Sequence, residues 1–236
     1  MSKKYTKNVS EIKSDDFNES FIKTGFFEYD NAFQGLQNGE FVFLAGRVNI
    51  EITSFCVNIA VIQATENRRV LYICDDAELP NISKMIELTL EKRSKQEFGK
   101  AIDFYSGEKN SDYLFNYCLK KEFNYDLIIV DKDIPFTFDC TFAYYPNIDI
   151  EYEASILKKI AKMCNIPVVK TGYTNRLSGT KKQAEKNDIL NYSRIYRHLE
   201  SIWLLTRKEL ENQTELKVYN DFHGSTVQIF IDTDEL

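Results

Sequence analysis

FVFLAGRVNIEITSFCVNIAVIQA, residues 41–64, joins a continuous apolar run to a stretch of helical spacing across a short turn. Apolarity sustained over a strand's length marks a strand buried on both faces, as in parallel sheets. Residues 53–65 then set Phe55, Ile59 and Ile62 on one helical face. Strand, turn and helix in this order form the arrangement in which a helix N-terminus receives a phosphate. AGRVNIEIT (45–53) is therefore where nucleotide chemistry would sit.

Outward from that stretch, VLYIC (70–74), AIDFYS (101–106), DLIIVD (126–131) and IPVVKT (166–171) read as further strands. Helical patterns separate them: ISKMIELTLEKR (82–93), SDYLFNYCLKKEF (111–123) with Ser111 as its cap, and EASILKKIAKMCN (153–165). SIWLLTR (201–207), ELKVYN (215–220) and TVQIFI (226–231) follow as strands alone, joined by NQ and HGS turns. Alternation followed by strands predicts an α/β fold, a mostly parallel sheet flanked by helices with antiparallel C-terminal strands. Residues 1–21 read as a polar arm and 22–236 as one domain, with no internal repeat.

Composition narrows the function. The chain has 236 residues, 43% of them hydrophobic, and only 4 prolines, which is a globular chain able to bury a core. A net charge of −6 argues against a protein that coats nucleic acid through its phosphates. Cys56, Cys74, Cys118, Cys140 and Cys164 form no CxxC pair, and the histidines are His198 and His223 alone, so no metal site is legible. The start, MSKKYTKNVS, lacks the apolar core of a signal peptide and no run is long enough to span a bilayer. Cytoplasmic residence without membrane contact is the expectation. Few glycines and prolines beside many Lys, Asn, Ile and Tyr fit a phage, plasmid or other mobile genetic element of an AT-rich host.

TGFFEYDNAFQGLQNGEFVFLAGRVNIEITSFCVNIA (24–60) resembles the entry to the RecA-like ATPase core of DnaB-type replicative helicases, whose pattern is TGF..LD...GGL..GE..VLAGRPSMGKT..A.NIA. It matches at Thr24, Gly25, Phe26, Asp30, Gly35, Leu36, Gly39, Glu40, Leu44 to Arg47, Thr53 and Asn58 to Ala60. YDLIIVD (125–131) is similar to the Walker B strand, and Asn175 and Arg176 to the end of the family's SQLNR. The resemblance runs from about residue 22 to 231 and implies a RecA-like fold.

The family's chemistry is altered at the positions that carry it. In GxxxxGK[ST] the second glycine lets backbone amides close on the phosphates, the lysine neutralises them and the hydroxyl binds magnesium. Gly46, Arg47 and Thr53 are kept, whereas the glycine is Glu51 and the lysine Ile52. A carboxylate at the triphosphate's place repels it, and the main counter-charge is gone. The catalytic glutamate falls at Asp76, the Walker B aspartate at Asp131, and the sensor glutamine at Tyr173. The segment aligned with the family's trans-acting lysine and arginine, VYNDFHG (218–224), has neither. The resemblance thus implies a degenerate nucleotide site, with no catalytic residue and no bound ATP, magnesium or other metal.

Two surface segments remain. The stretch 132–155 follows Walker B, where the helicases place a DNA-facing loop. It is acidic and carries Phe136, Phe138, Phe142, Tyr144 and Tyr145, a candidate protein-binding patch. Residues 175–198 gather Arg176, Lys181, Lys182, Lys186, Arg194 and Arg197, a candidate nucleic-acid loop. Ahead of the core, Ile12 and Phe17 are candidates for an arm that docks on a neighbouring subunit. The leading expectation is an inactive relative of a replicative helicase that works by protein contact, with a helicase or with itself, as an accessory, loader-like or regulatory factor in DNA replication or recombination. The alternatives are a nucleic-acid-binding protein using the basic loop, and an NTPase or helicase with an altered P-loop.

Overall fold

The computed structural model describes residues 21–47, 50, 52–93, 101–107, 110–131, 146–175, 184–208, 213–220 and 225–232. The chain begins with β1 (Phe21–Ile22), α1 (Phe27–Phe33) and β2 (Leu36–Gln37), where β1 and β2 form a small antiparallel pair. β3 (Phe41–Gly46), α2 (Ile52–Thr65), β4 (Val70–Ile73), α3 (Leu79–Lys92), β5 (Ile102–Phe104), α4 (Ser111–Cys118), β6 (Leu127–Val130), α5 (Pro146–Cys164) and β7 (Val168–Tyr173) then alternate. A short α6 (Tyr192–Ile195) leads to β8 (Ser201–Lys208), β9 (Gln213–Asn220) and β10 (Ser225–Asp232).

One eight-stranded sheet runs in the order β10-β9-β8-β3-β7-β6-β4-β5. Every pairing from β8 to β5 is parallel, and β9 and β10 add antiparallel. Strand alternation sends successive side chains to opposite faces. Val42 and Leu44 pack with α1, α2 and α3, while Phe41, Phe43 and Ala45 pack with α4, α5 and α6. Two cores therefore sandwich a sheet whose central strands are buried throughout, which is why they read as unbroken apolar runs.

The entry to β3 is pinned by a carboxylate. Asp30 accepts from the Thr24 amide at 2.8 Å, the Thr24 hydroxyl at 2.8 Å and the Gly25 amide at 2.9 Å. Gly25 has φ of 85°, and a Cβ there would stand 2.0 Å from Ile62 Cδ1, so the turn and the approach of α2 both require glycine. Glu40 is likewise structural, its buried Oε2 accepting from the Gln37 amide at 2.9 Å.

Several boundaries depart from expectation for physical reasons. Phe21, assigned to the arm, belongs to β1. The helix placed at 53–65 is not buried on one face alone: every residue from Phe55 to Ala64 is buried, because α3 packs on its outer side. Asn58 and Gln63 are accommodated by bonds to the Ser54 and Lys23 carbonyls. Ser111 is the first residue of α4 rather than its cap; Asn110 caps, accepting from the Asp112 amide at 2.8 Å. That helix stops at Cys118 instead of residue 123, since Tyr117, Phe123 and Tyr125 cluster and turn the chain back towards β6. α5 starts at Pro146, not Glu153, with proline in the first turn where its missing N–H costs nothing. The expected NQ and HGS turns lie wholly or largely outside the described residues.

Candidate functional site

In an open α/β sheet ligands bind beyond the carboxyl ends of the strands. Gly46, Asp131 and Tyr173 meet there, at the ends of β3, β6 and β7, with Gly46 in register with Tyr173. Asp76 sits in the 3-10 turn Asp76–Glu78 just beyond β4 and is exposed. The topology therefore brings the residues singled out from sequence to one edge.

At the strand-to-helix turn, Ile52 opens α2 and is 5% exposed. Its side chain lies over Gly46, where an added Cβ would stand 3.1 Å from Ile52 Cδ1. Ile50 packs against the same core, and the Ile52 amide reaches the Ile50 carbonyl at 2.7 Å. Gly46 in turn gives its carbonyl to the Thr174 amide at 2.9 Å. Arg47 follows β3 half-buried, and Thr53 is half-buried in the first turn of α2. Glu51 lies outside the described residues.

Beneath the turn, Asp131 is 1% exposed. Its Oδ2 accepts from the Tyr72 hydroxyl at 2.9 Å and its Oδ1 from the Thr171 hydroxyl at 3.1 Å, tying β4, β6 and β7 together. Burial, reinforced by the Asp131 charge, pushes the Tyr72 phenol and the Cys56 thiol well above their ordinary values, so both stay protonated at neutral pH. Sequence reasoning misses Tyr72 and Thr171; the signal it offers is a hydroxyl at an inward position of an otherwise aliphatic strand. Tyr173 is half-buried against the core of the α2 face.

Of the candidate nucleic-acid loop, Arg176, Lys181 and Lys182 lie outside the described residues. Lys186 is exposed, with its ammonium 5.8 Å from the centre of the Tyr219 ring. Glu185 and Asp188 beside it form a capping box. Arg194 is on α6, and Arg197 pairs with Glu151 at 3.4 Å. The described cations of this loop are thus interleaved with acids.

The candidate partner patch, Phe136, Phe138, Phe142, Tyr144 and Tyr145, lies outside the described residues. Of the acids expected in that loop, Asp149, Glu151 and Glu153 are on α5, and Asp133 and Asp139 lie outside the described residues. Glu151 faces Arg197, Glu153 pairs with Lys170 at 3.3 Å, and the Tyr152 hydroxyl donates to Asp112 at 2.7 Å. Among the described residues no group of His, Cys, Asp or Glu is arranged to hold a metal ion, and no helix is long and apolar enough to cross a membrane.

Comparison with solved structures identifies the architecture. The chain superposes on a solved ATPase domain with a TM-score of 0.76, over 94% of its own length and 91% of that chain, at 15% identity. The fold is RecA-like. A DnaB-like replicative helicase, solved in a study of its interactions with primase, matches with a TM-score of 0.74 at 17% identity. The RecA-like chain is covered over 94% of its length there and spans 63% of that helicase. No protein-family model and no curated protein matches the sequence. The structural resemblance is thus to helicase ATPase domains of the DnaB type, across nearly the whole chain.

Proposed function

We propose that this chain is a RecA-fold protein without ATPase activity that acts by protein contact in DNA replication or recombination. The observation that carries the reading is the apolar closure of the phosphate turn. Ile52, aligned with the P-loop lysine, is buried on Gly46 as part of the core rather than held at a solvent-facing cleft. An ammonium in that place would neutralise the β and γ oxygens of a triphosphate; a sec-butyl group cannot. Both oxygens of Asp131 accept from buried hydroxyls, which suits a carboxylate used to join strands. The shortening at Asp76 and the tyrosine at position 173 point the same way.

Titration calorimetry with ATP and magnesium is expected to give no heat of binding; micromolar affinity would overturn the reading. A pull-down with the replicative helicase that shares the protein's cell tests the contact role, and retention of that helicase is the expected result. Salt-dependent binding of single-stranded DNA, abolished by neutralising Lys181, Lys182 and Lys186, would instead favour the nucleic-acid reading.

A further inference from the structure

Parallel topology fixes where two of the helices end. α4 leads into β6 and α5 into β7, and these strands start as neighbours, with Ile128 opposite Val168. A helix that connects parallel strands runs back across the sheet, so the last turns of α4 and α5 meet at its amino edge, away from Gly46 and Asp131. Each of the two helices ends in a cysteine, Cys118 and Cys164. Both side chains belong to the cluster on one face of the sheet, Cys118 buried and Cys164 half-buried, whereas Cys56 and Cys74 lie in the core of the opposite face.

The two thiols are in contact. The Cys164 thiol donates to the Cys118 carbonyl oxygen, 3.8 Å from its sulfur, and the Cys118 thiol donates to the Cys164 sulfur. A buried cysteine is commonly no more than a small apolar filler. Two of them held sulfur to sulfur at adjacent helix ends form a dithiol. Burial pushes both thiols above their ordinary value, so the pair is protonated at neutral pH. Cys164, the more exposed and the acceptor of the shared hydrogen bond, is the one that ionises first.

We propose that Cys118 and Cys164 are a modification site, a dithiol that hydrogen peroxide converts into a reversible disulfide fastening α4 to α5. The Cys164 thiolate attacks one peroxide oxygen; the S–O bond forms, the O–O bond breaks, and hydroxide leaves as water with the proton that Cys164 gave up. The Cys118 sulfur then attacks the Cys164 sulfur of the sulfenic acid; the S–S bond forms, the S–O bond breaks, and hydroxide leaves as water with the Cys118 proton. Two thiols are oxidised and one peroxide is reduced to two waters. The sulfurs close from contact to about 2.0 Å, the disulfide bond length. The bridge closes the segment 118–164 into a loop and so constrains the unfolded chain.

The test is peptide mapping of the full chain after hydrogen peroxide, with remaining thiols blocked by N-ethylmaleimide. Trypsin places Cys118 in the peptide 110–120 and Cys164 in 163–170. The expected product is these two peptides joined within one chain and separated by dithiothreitol, and the oxidised protein is expected to unfold at higher urea than the reduced one. Cys118→Ser is expected to stop at a Cys164 sulfenic acid that dimedone captures; should that variant fail to fold, the wild-type map decides alone. Met163, 53% exposed, lies in the same peptide as Cys164 and its sulfoxide reports the dose. The proposal is overturned if both cysteines still take maleimide once Met163 is oxidised, or if Cys164 joins Cys140 or a second chain instead. A joined protein that unfolds at the same urea concentration as the reduced one overturns it too. ATP binding bears on none of these outcomes, because the pair lies at the edge of the sheet opposite the phosphate turn.

Discussion

At the residue scale, Ile52 and Asp131 decide how the carboxyl edge of the sheet behaves. Truncating Ile52 to alanine opens a cavity over Gly46 and is expected to cost about 2–4 kcal/mol in urea unfolding, the range for large-to-small core changes. A surface turn would lose almost nothing, so the measurement separates a core role from an incidental one. Asp131→Ala strands two buried hydroxyls, Tyr72 and Thr171, and each unsatisfied group costs about 1–3 kcal/mol. Asp131→Asn keeps an acceptor oxygen and is expected to lose less, with magnesium leaving the wild-type unfolding midpoint unmoved. Glu51 and Ile52 stand out in the sequence because a phosphate turn would prescribe other residue types. Tyr72 and Thr171 are not, because their role depends on two neighbouring strands that are remote in sequence.

At the element scale, strands are legible and helix ends are not. FVFLAG and LIIV are buried on both faces, so their apolar runs announce them without reference to partners. Helix α1 leaves no such mark: FEYDNAF is short, and its stability comes from Tyr29 and Phe33 against Trp203 rather than from helical periodicity. The end of α4 is obscured because an aromatic cluster, a tertiary feature, overrides the propensity of LKKEF to continue. Its start rests on one residue: Asn110→Ala removes the cap and is expected to lower stability by about 1 kcal/mol, read from thermal or urea unfolding. Ser111→Ala would leave the cap bond intact, so equal losses in the two variants would contradict the assignment of Asn110.

At the scale of the whole molecule, the two ends of the sheet carry different chemistry. The amino-terminal end holds buried charge: Glu200 accepts from the Phe41 amide at 3.0 Å and pairs with Lys158 and Lys162 at 3.1 and 3.2 Å. Beside it, burial raises the pKa of Glu40 above the ordinary carboxylate value. A raised carboxyl stabilises the fold below its unfolded pKa, and that contribution is lost as pH rises through the folded value. Glu40→Gln is therefore expected to raise the melting temperature at neutral pH, with the gain shrinking as the pH falls to about 4, the ordinary glutamate value. Burial lowers the pKa of His198, so its contribution is fully present above about 6.5 and is lost as pH falls through the lower folded value. At the carboxyl-terminal end, by contrast, Ile52 packs into the core over Gly46. One consequence concerns evolvability. A lysine arriving at position 52 by a single mutation would lose the apolar contact and place an ammonium in a buried site, at a loss of stability. The buried isoleucine thus acts as a ratchet, since a cation at position 52 would first have to give up a core contact.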